Sequence, residues 1–180
     1  MDCFTYIYKS NYSKEVSFQF IAHTVGLLQL FESVLLLICC CVSLWYREGD
    51  LIAFGISFVI NLVVGVALLG YGRKKEMGPS RSEAYIVVAL SWVFFSIFGM
   101  MPYLIGGYIP SVADAFFETM SGFTTTGATI LDNIEDMPHG ILFWRSLTQW
   151  IGGLGIVCFT IVLMPGLGKG SQMLYLSEAT

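Results

Sequence analysis

Phe116–Thr129 reads FFETMSGFTTTGAT, a short helix-like run that passes into a threonine-rich segment with one glycine. Apolar segments on both sides are each long enough to cross a bilayer, which takes about 20 helical residues. Irregular backbone at membrane depth is tolerated only where it is buried in protein or lines water, because its N–H and C=O groups otherwise lack partners. The stretch is therefore either a loop outside the membrane or a re-entrant loop along an aqueous path, and we favour the second.

The composition indicates an integral membrane protein. The 180 residues are 56% hydrophobic and only 12% charged, whereas soluble domains carry about 25% charge. The formal net charge of −4 argues against a nucleic-acid partner. The five cysteines include a consecutive trio inside an apolar run, and they are interpreted as packing residues rather than a disulfide framework.

Four apolar runs predict an all-α membrane protein with four transmembrane helices and one re-entrant pore helix. The predicted spans are residues 18–45, 51–71, 84–103 and 141–164. The corresponding units are a cytoplasmic N-terminus (1–17), a leading helix pair (18–75), a connector (76–83), a helix–pore loop–helix repeat (84–165) and a cytoplasmic tail or linker (166–180).

The distribution of basic residues orients the chain. Arg73, Lys74 and Lys75 follow the second span. Lysine and arginine are enriched on the cytoplasmic side of membrane proteins, so this cluster predicts a multi-pass protein with a cytoplasmic N-terminus.

Polar residues inside the first span need partners. Glu32 lies near mid-depth, where an ionisable group is expected to face protein or water. It could belong to an ion or proton path, but Asn61 lies at a matching depth in the second span, so we favour a structural contact between the two. His23 is interpreted as a hydrogen-bonded structural residue rather than a ligand.

The long connection between the third and fourth spans holds the pore helix. Ser111, with Asp114 three residues later, forms a capping-box pattern, and Gly122 offers a stop. The predicted helix, residues 111–121, is about 16 Å long, roughly half a bilayer core. Its C-terminal end would point its negative dipole toward a cation. The acidic residues that follow could raise the cation concentration at the mouth or form an ordinary solvated loop: Asp132, Glu135 and Asp136.

Residues 124–129 have the composition of a cation filter. Such a filter aims backbone carbonyls at the ion in place of its hydration shell. Glycine supplies backbone angles that side chains forbid, and threonine adds stiffness. We therefore predict that backbone carbonyls in this segment bind a dehydrated cation, most simply K⁺.

Two motifs carry a family resemblance: DAFFETMSGFTTTGAT (Asp114–Thr129) and FWRSLTQWIGGLG (Phe143–Gly155). They resemble the first pore loop and the following helix of the Trk/Ktr/HKT superfamily of potassium uptake proteins, with most similarity to its bacterial TrkH members. The resemblance implies that Thr125, Thr126 and Gly127 form the K⁺ filter, with Thr124 and Ala128 at its ends. It also implies that serine at the filter glycine favours sodium permeation.

The resemblance further implies four unequal repeats around one pore, of which this chain holds one. The other three come from a longer chain or from further copies. A cytoplasmic nucleotide-binding regulatory ring and a bacterial cytoplasmic (inner) membrane location are implied in the same way. No cofactor is expected; K⁺ is the transported ion.

Arg145 lies within the fourth predicted span, where an unpaired arginine costs about 2.5–3.5 kcal/mol. We predict a carboxylate partner among Glu118, Asp114 and Asp132, with Glu118 first. The pair, together with Gly122, would support the pore helix. Three glycines farther along the span predict close helix packing rather than a flexible bend: Gly152, Gly153 and Gly155.

Two classes of function remain from the sequence. The first is potassium uptake through a carbonyl-lined filter. The alternative is a non-conducting membrane scaffold or accessory subunit. An enzyme is not expected, because no cluster of His, Asp, Glu or Cys resembles a catalytic or metal site.

Overall fold

The computed structural model describes residues 16–72 and 81–163, with side chains described from 83 to 157 in the second range. All regular secondary structure in these ranges is helical. The helices are α1 (Phe18–Tyr46), α2 (Leu51–Tyr71), α3 (Arg81–Gly99), α4 (Met101–Ile105), α5 (Val112–Phe123) and α6 (His139–Leu163).

Three described segments are long and apolar enough to cross a membrane: Phe18–Tyr46, Leu51–Tyr71 and Glu83–Ile105. They correspond to the first three predicted spans. The fourth predicted span corresponds to α6, a helix of 25 residues. That α6 also crosses the membrane stays a prediction.

The pairing of α1 with α2 depends on two glycines. A Cβ at Gly65 would lie 2.8 Å from Leu30 Cδ2, and a Cβ at Gly26 would lie 3.0 Å from Leu68 Cβ. Small residues allow such close approach of helices, which is a common basis of packing within membranes. The turn between the helices begins at Arg47, whose φ of 57° is left-handed.

The third predicted span is interrupted near its end. Helix α3 ends at Gly99, and α4 begins at Met101 with Pro102 in its first turn. Proline has no backbone N–H, and its ring clashes with the carbonyl four residues earlier, so a continuous helix is broken there. The span predicted as one helix over 84–103 is therefore two helices.

Gly99 lies at the centre of the fold, where α1, α3, α5 and α6 meet. Its carbonyl oxygen accepts a hydrogen bond from Trp144 Nε1 at 2.9 Å. A Cβ at Gly99 would lie 2.9 Å from Thr119 Cγ2 and 3.1 Å from Glu32 Oε1. The neighbouring rings of Phe123 and Trp144 are both fully buried and meet edge to face at 6.2 Å.

The predicted contact between Glu32 and Asn61 is mediated by a third residue, Gln29. All three side chains are fully buried. Gln29 Nε2 donates to Glu32 Oε2 at 2.7 Å and also to Asn61 Oδ1. The hydrogen bond predicted for His23 is not found among the described residues, where both of its buried ring nitrogens lack a partner.

Several predictions fall on residues outside the described ranges. These are the N-terminal segment 1–15, most of the connector, the tail 164–180 and the basic cluster Arg73–Lys75. The orientation of the chain in a membrane therefore stays a prediction.

Candidate cation-binding loop

Helix α5 begins as the sequence predicts. Ser111 is its N-cap, with extended backbone, and Ser111 Oγ accepts a hydrogen bond from the Asp114 N–H at 3.4 Å. The helix has 12 residues, or about 18 Å. It is therefore close to the half-bilayer length expected of a re-entrant helix.

The predicted stop at Gly122 is wrong, because α5 continues to Phe123. Gly122 lies inside the helix and is buried. A Cβ there would lie 2.4 Å from Thr148 Oγ1. The missing side chain thus lets α6 approach α5, and it does not end the helix.

The chain turns sharply after α5 through a series of backbone hydrogen bonds. The Thr125 N–H donates to Gly122 O at 2.9 Å, and those of Thr126 and Gly127 donate to Ser121 O at 3.0 and 3.4 Å. In a trans peptide the N–H and the preceding C=O point in opposite directions. The carbonyls of Thr124, Thr125 and Thr126 therefore point away from the end of α5.

The loop contains two residues with left-handed backbone: Thr125 at φ 57° and Gly127 at φ 73°. For a β-branched residue such as threonine this conformation is strained, at a cost of order 1–3 kcal/mol. Such strain persists only where surrounding contacts impose it, and it is concentrated at functional sites.

Residues 124–130 are exposed. Thr124 Oγ1 donates to Met120 O at 2.7 Å and lies 2.9 Å from Thr126 Oγ1. Within the described part of the chain, the carbonyl oxygens of Thr124, Thr125, Thr126 and Gly127 accept no hydrogen bond. They form a row of free acceptors.

Ala128, the fifth predicted filter residue, differs from the other four. Its carbonyl oxygen accepts a hydrogen bond from Ser121 Oγ at 2.6 Å. That carbonyl is therefore directed toward α5, whereas the carbonyls of Thr124–Thr126 are directed away from it.

Glu118 joins α5, the loop and α6. Arg145 Nε donates to Glu118 Oε1 at 2.6 Å. The same carboxylate accepts from Thr129 Oγ1, at 2.9 Å to Oε2, and from the Ile130 N–H at 3.2 Å. The predicted pairing of Arg145 with Glu118 is confirmed.

The glycines of α6 allow close packing, as predicted. A Cβ at Gly152 would lie 2.1 Å from Phe123 O, and one at Gly155 would lie 3.2 Å from Trp92. Gly153 is different, since a Cβ there meets only Thr125 Cγ2, at 4.0 Å. Gly152 thus allows α6 to lie directly against the end of α5.

Two residues that shape the loop were not predicted from the sequence. Ser121 holds the loop against α5, and Thr129 bonds to Glu118. For Ser121 the only available signal was a small polar residue in the last turn of the predicted helix. Its partner lies seven residues away across a turn of irregular backbone, which periodicity does not predict.

A short capped helix and a strained loop lie among long apolar helices, three of which could span a membrane, and this places the chain in the class of all-helical membrane proteins. The family model TrkH, described as a cation transport protein, matches residues 51–180. The chain therefore belongs to the TrkH family, which confirms the resemblance.

Individual relatives agree with this assignment. The Trk system potassium uptake protein TrkH of Escherichia coli K12 is 38% identical over 163 residues, covering 89% of this chain and 34% of that protein. TrkG of the same organism is 33% identical over 159 residues, covering 88% of this chain and 33% of that protein. The crystal structure of the potassium transporter TrkH from Vibrio parahaemolyticus superimposes with a TM-score of 0.75 at 36% identity, over 89% of this chain and 37% of that one. The chain spans about a third of the length of these relatives.

Proposed function

We propose that this chain supplies one of four filter loops of a potassium uptake path. The observation that carries the proposal is the row of consecutive carbonyls in the exposed residues Thr124–Gly127, which accept no hydrogen bond among the described residues. Relatives named as potassium uptake proteins support K⁺ as the ion.

The chemistry of the loop suits a dehydrated cation. K⁺ gives up its hydration water only where several oxygen atoms replace it. The proposed ligands are the carbonyls of Thr125, Thr126 and Gly127, with Thr124 before them; Ala128 follows them, but its carbonyl is bonded to Ser121. The negative end of the α5 dipole lies next to this row and favours a cation.

The pair of Glu118 and Arg145 is proposed to brace the loop. Its contacts with Thr129 and Ile130 connect the segment that leaves the filter to α6. A filter must hold its oxygens in fixed positions to distinguish ions of similar size, and buried charge-assisted hydrogen bonds are the strongest available restraint.

One loop does not surround an ion, so three further repeats are needed, from a longer chain or from further copies. In this proposal residues 84–165 form one helix–pore loop–helix repeat. Lipid would contact the exposed apolar face of α2, which includes Val59, Val63 and Val66. The family resemblance supports a bacterial cytoplasmic membrane and a nucleotide-binding regulatory ring in this proposal, and the distribution of basic residues supports a cytoplasmic N-terminus.

Ion uptake by bacteria that lack their own potassium uptake systems tests the proposal. The open reading frame containing this chain is expressed, and radioactive rubidium uptake and growth on low potassium are measured. Gly127→Ser is expected to admit sodium and to lower the preference for potassium at least tenfold.

Gly107→Ser is a matched control. Gly107 has nearly the same backbone angle, φ 71°, and a Cβ at either glycine meets nothing within 4 Å. Both variants carry the same backbone strain, but only Gly127 belongs to the proposed filter. If the two variants have equal effects on selectivity, or if no rubidium enters at all, the chain is a non-conducting scaffold or accessory subunit.

A further inference from the structure

The hydroxyl of Ser121 behaves differently from most serine and threonine hydroxyls in these helices. Those of Ser57, Ser91 and Thr119 donate to the carbonyl four residues earlier in the same helix, at 2.7, 2.7 and 2.8 Å. This bond within the helix is the usual arrangement for a buried helical hydroxyl. Ser121, only 5% exposed, instead donates forward to Ala128 O at 2.6 Å.

Ser121 also holds the loop through its main chain. Its carbonyl oxygen accepts the N–H groups of Thr126 at 3.0 Å and Gly127 at 3.4 Å. One residue therefore contacts three consecutive residues of the proposed filter: the first two through their N–H groups and the third through its carbonyl.

The two kinds of contact turn the backbone in opposite directions. Where an N–H points at Ser121, the carbonyl of the same peptide unit points away, which directs the oxygens of Thr125 and Thr126 outward. At Ala128 the carbonyl itself points at Ser121. The reversal takes place across Gly127, whose φ of 73° is a conformation that glycine adopts without strain.

We propose that Ser121 is a positioning residue for ion selectivity, which ends the row of ion-facing carbonyls at Gly127 by holding the Ala128 carbonyl against the pore helix. This inference rests on the proposed function of the loop. Without the hydroxyl, the Ala128 carbonyl loses its hydrogen bond and rotates toward the row. The spacing of the oxygens then becomes less exact, and discrimination between K⁺ and Na⁺ falls.

The test compares ion selectivity in Ser121→Ala, Ser121→Cys and the parent protein, in the complete open reading frame and in the same uptake-deficient bacteria. Rubidium uptake is measured with increasing sodium as competitor. The thiol is nearly the size of the hydroxyl but donates weakly. The preference for rubidium over sodium is expected to fall about tenfold in the alanine variant and by a smaller factor in the cysteine variant.

Ser57→Ala is the matched control, since Ser57 is a buried helical serine whose hydroxyl bonds only within its own helix. Its selectivity is expected to equal that of the parent. Membrane content of each variant is measured by immunoblot, so that loss of protein is separated from loss of selectivity. If Ser121→Ala does not accumulate in the membrane, the selectivity of Ser121→Cys alone tests the role of Ser121.

The outcomes separate this inference from the function on which it depends. A graded loss of selectivity in the order Ser, Cys, Ala supports the role of Ser121. If Gly127→Ser alters selectivity but both Ser121 variants stay within twofold of the parent, the filter exists and Ser121 does not position it. If Gly127→Ser has no effect beyond that of Gly107→Ser, the proposed function fails and the role of Ser121 fails with it.

Discussion

Arg145 on α6 donates to Glu118 on α5 at 2.6 Å, and the carboxylate that receives this bond also receives two from the segment leaving the loop. The Glu118 side chain is 1% exposed and that of Arg145 is 18% exposed. The pair therefore connects three parts of the chain in a largely water-free environment. Its contribution depends on both partners being present.

Removal of either partner is expected to destabilise the protein. Arg145→Gln or Glu118→Gln leaves one buried charge unpaired, which costs about 3–5 kcal/mol when a buried pair is broken. We expect a lower unfolding temperature in detergent, measured by fluorescence-detected gel filtration after heating, and loss of rubidium uptake.

In the double variant no charge is left unpaired, so the loss of stability should be smaller than the sum of the two single losses. Normal stability and uptake in Arg145→Gln would rule out the bracing role.

Two adjacent glycines of α6 provide a test of its packing against α5. In Gly152→Ala the new methyl group would lie 2.1 Å from Phe123 O, which is backbone, so one helix must move. Overpacking of this kind costs about 1–3 kcal/mol. Gly153→Ala has room for its methyl group and gains helix propensity, up to about 1 kcal/mol.

In the same detergent, the unfolding temperature of Gly152→Ala is expected to lie below that of the parent. The unfolding temperature of Gly153→Ala is expected to equal or exceed that of the parent. Uptake should fall only in the first variant, because only there is the end of α5, the proposed pore helix, displaced. Equal unfolding temperatures would mean that α6 does not approach Phe123 this closely.

The buried polar group between α1 and α2 is expected to be necessary for stability. In Gln29→Leu, Glu32 loses the hydrogen bond from Gln29 to Oε2, and Asn61 loses its bond to Oδ1. Each buried polar group left without a partner costs about 1–3 kcal/mol. Gln19→Leu, an exposed glutamine on the same helix, is the control and should leave stability unchanged. Thermal unfolding of both variants is measured. A Gln29→Leu protein as stable as the parent would show that the buried polar group is not needed for stability.

The turn between α1 and α2 is held to the start of α6 by a pair that depends on pH. Glu48 accepts the His139 N–H at 2.7 Å and lies 2.7 Å from its ring Nδ1, while the ring stacks on Tyr46 at 4.0 Å. Burial alone would raise the pKa of Glu48, but hydrogen bonds from His139 and Gly140 outweigh it and lower the pKa below its ordinary value of 4.5.

A lowered pKa means that the folded state favours the ionised carboxylate. The stabilisation by Glu48 is therefore complete above about pH 4.5. It is lost as the pH falls through the lower value in the folded protein. Hydrogen exchange at the His139 amide is expected to accelerate, relative to intrinsic exchange, as the pH is lowered below 4.5. In Glu48→Gln this acceleration should be absent; if it persists, another group is responsible.

The sequence determined the all-helical membrane class, the capped helix α5, the family and the pairing of Arg145 with Glu118. Each of these depends on local information: apolar length, a capping residue, a contiguous motif, or a charge that cannot remain unpaired in an apolar span. Such requirements apply wherever the neighbouring helices lie, so they can be inferred before any contact is known.

Only the tertiary structure decided how the loop is held. Gly122 was expected to end a helix, which is the usual local effect of glycine, but the approach of Thr148 gives it a packing role instead. The bond from Ser121 to Ala128 and the placement of Gln29 between Glu32 and Asn61 depend on the relative positions of separate segments. Those positions are set by the packing of whole helices around Gly99, and no short stretch of sequence specifies that packing.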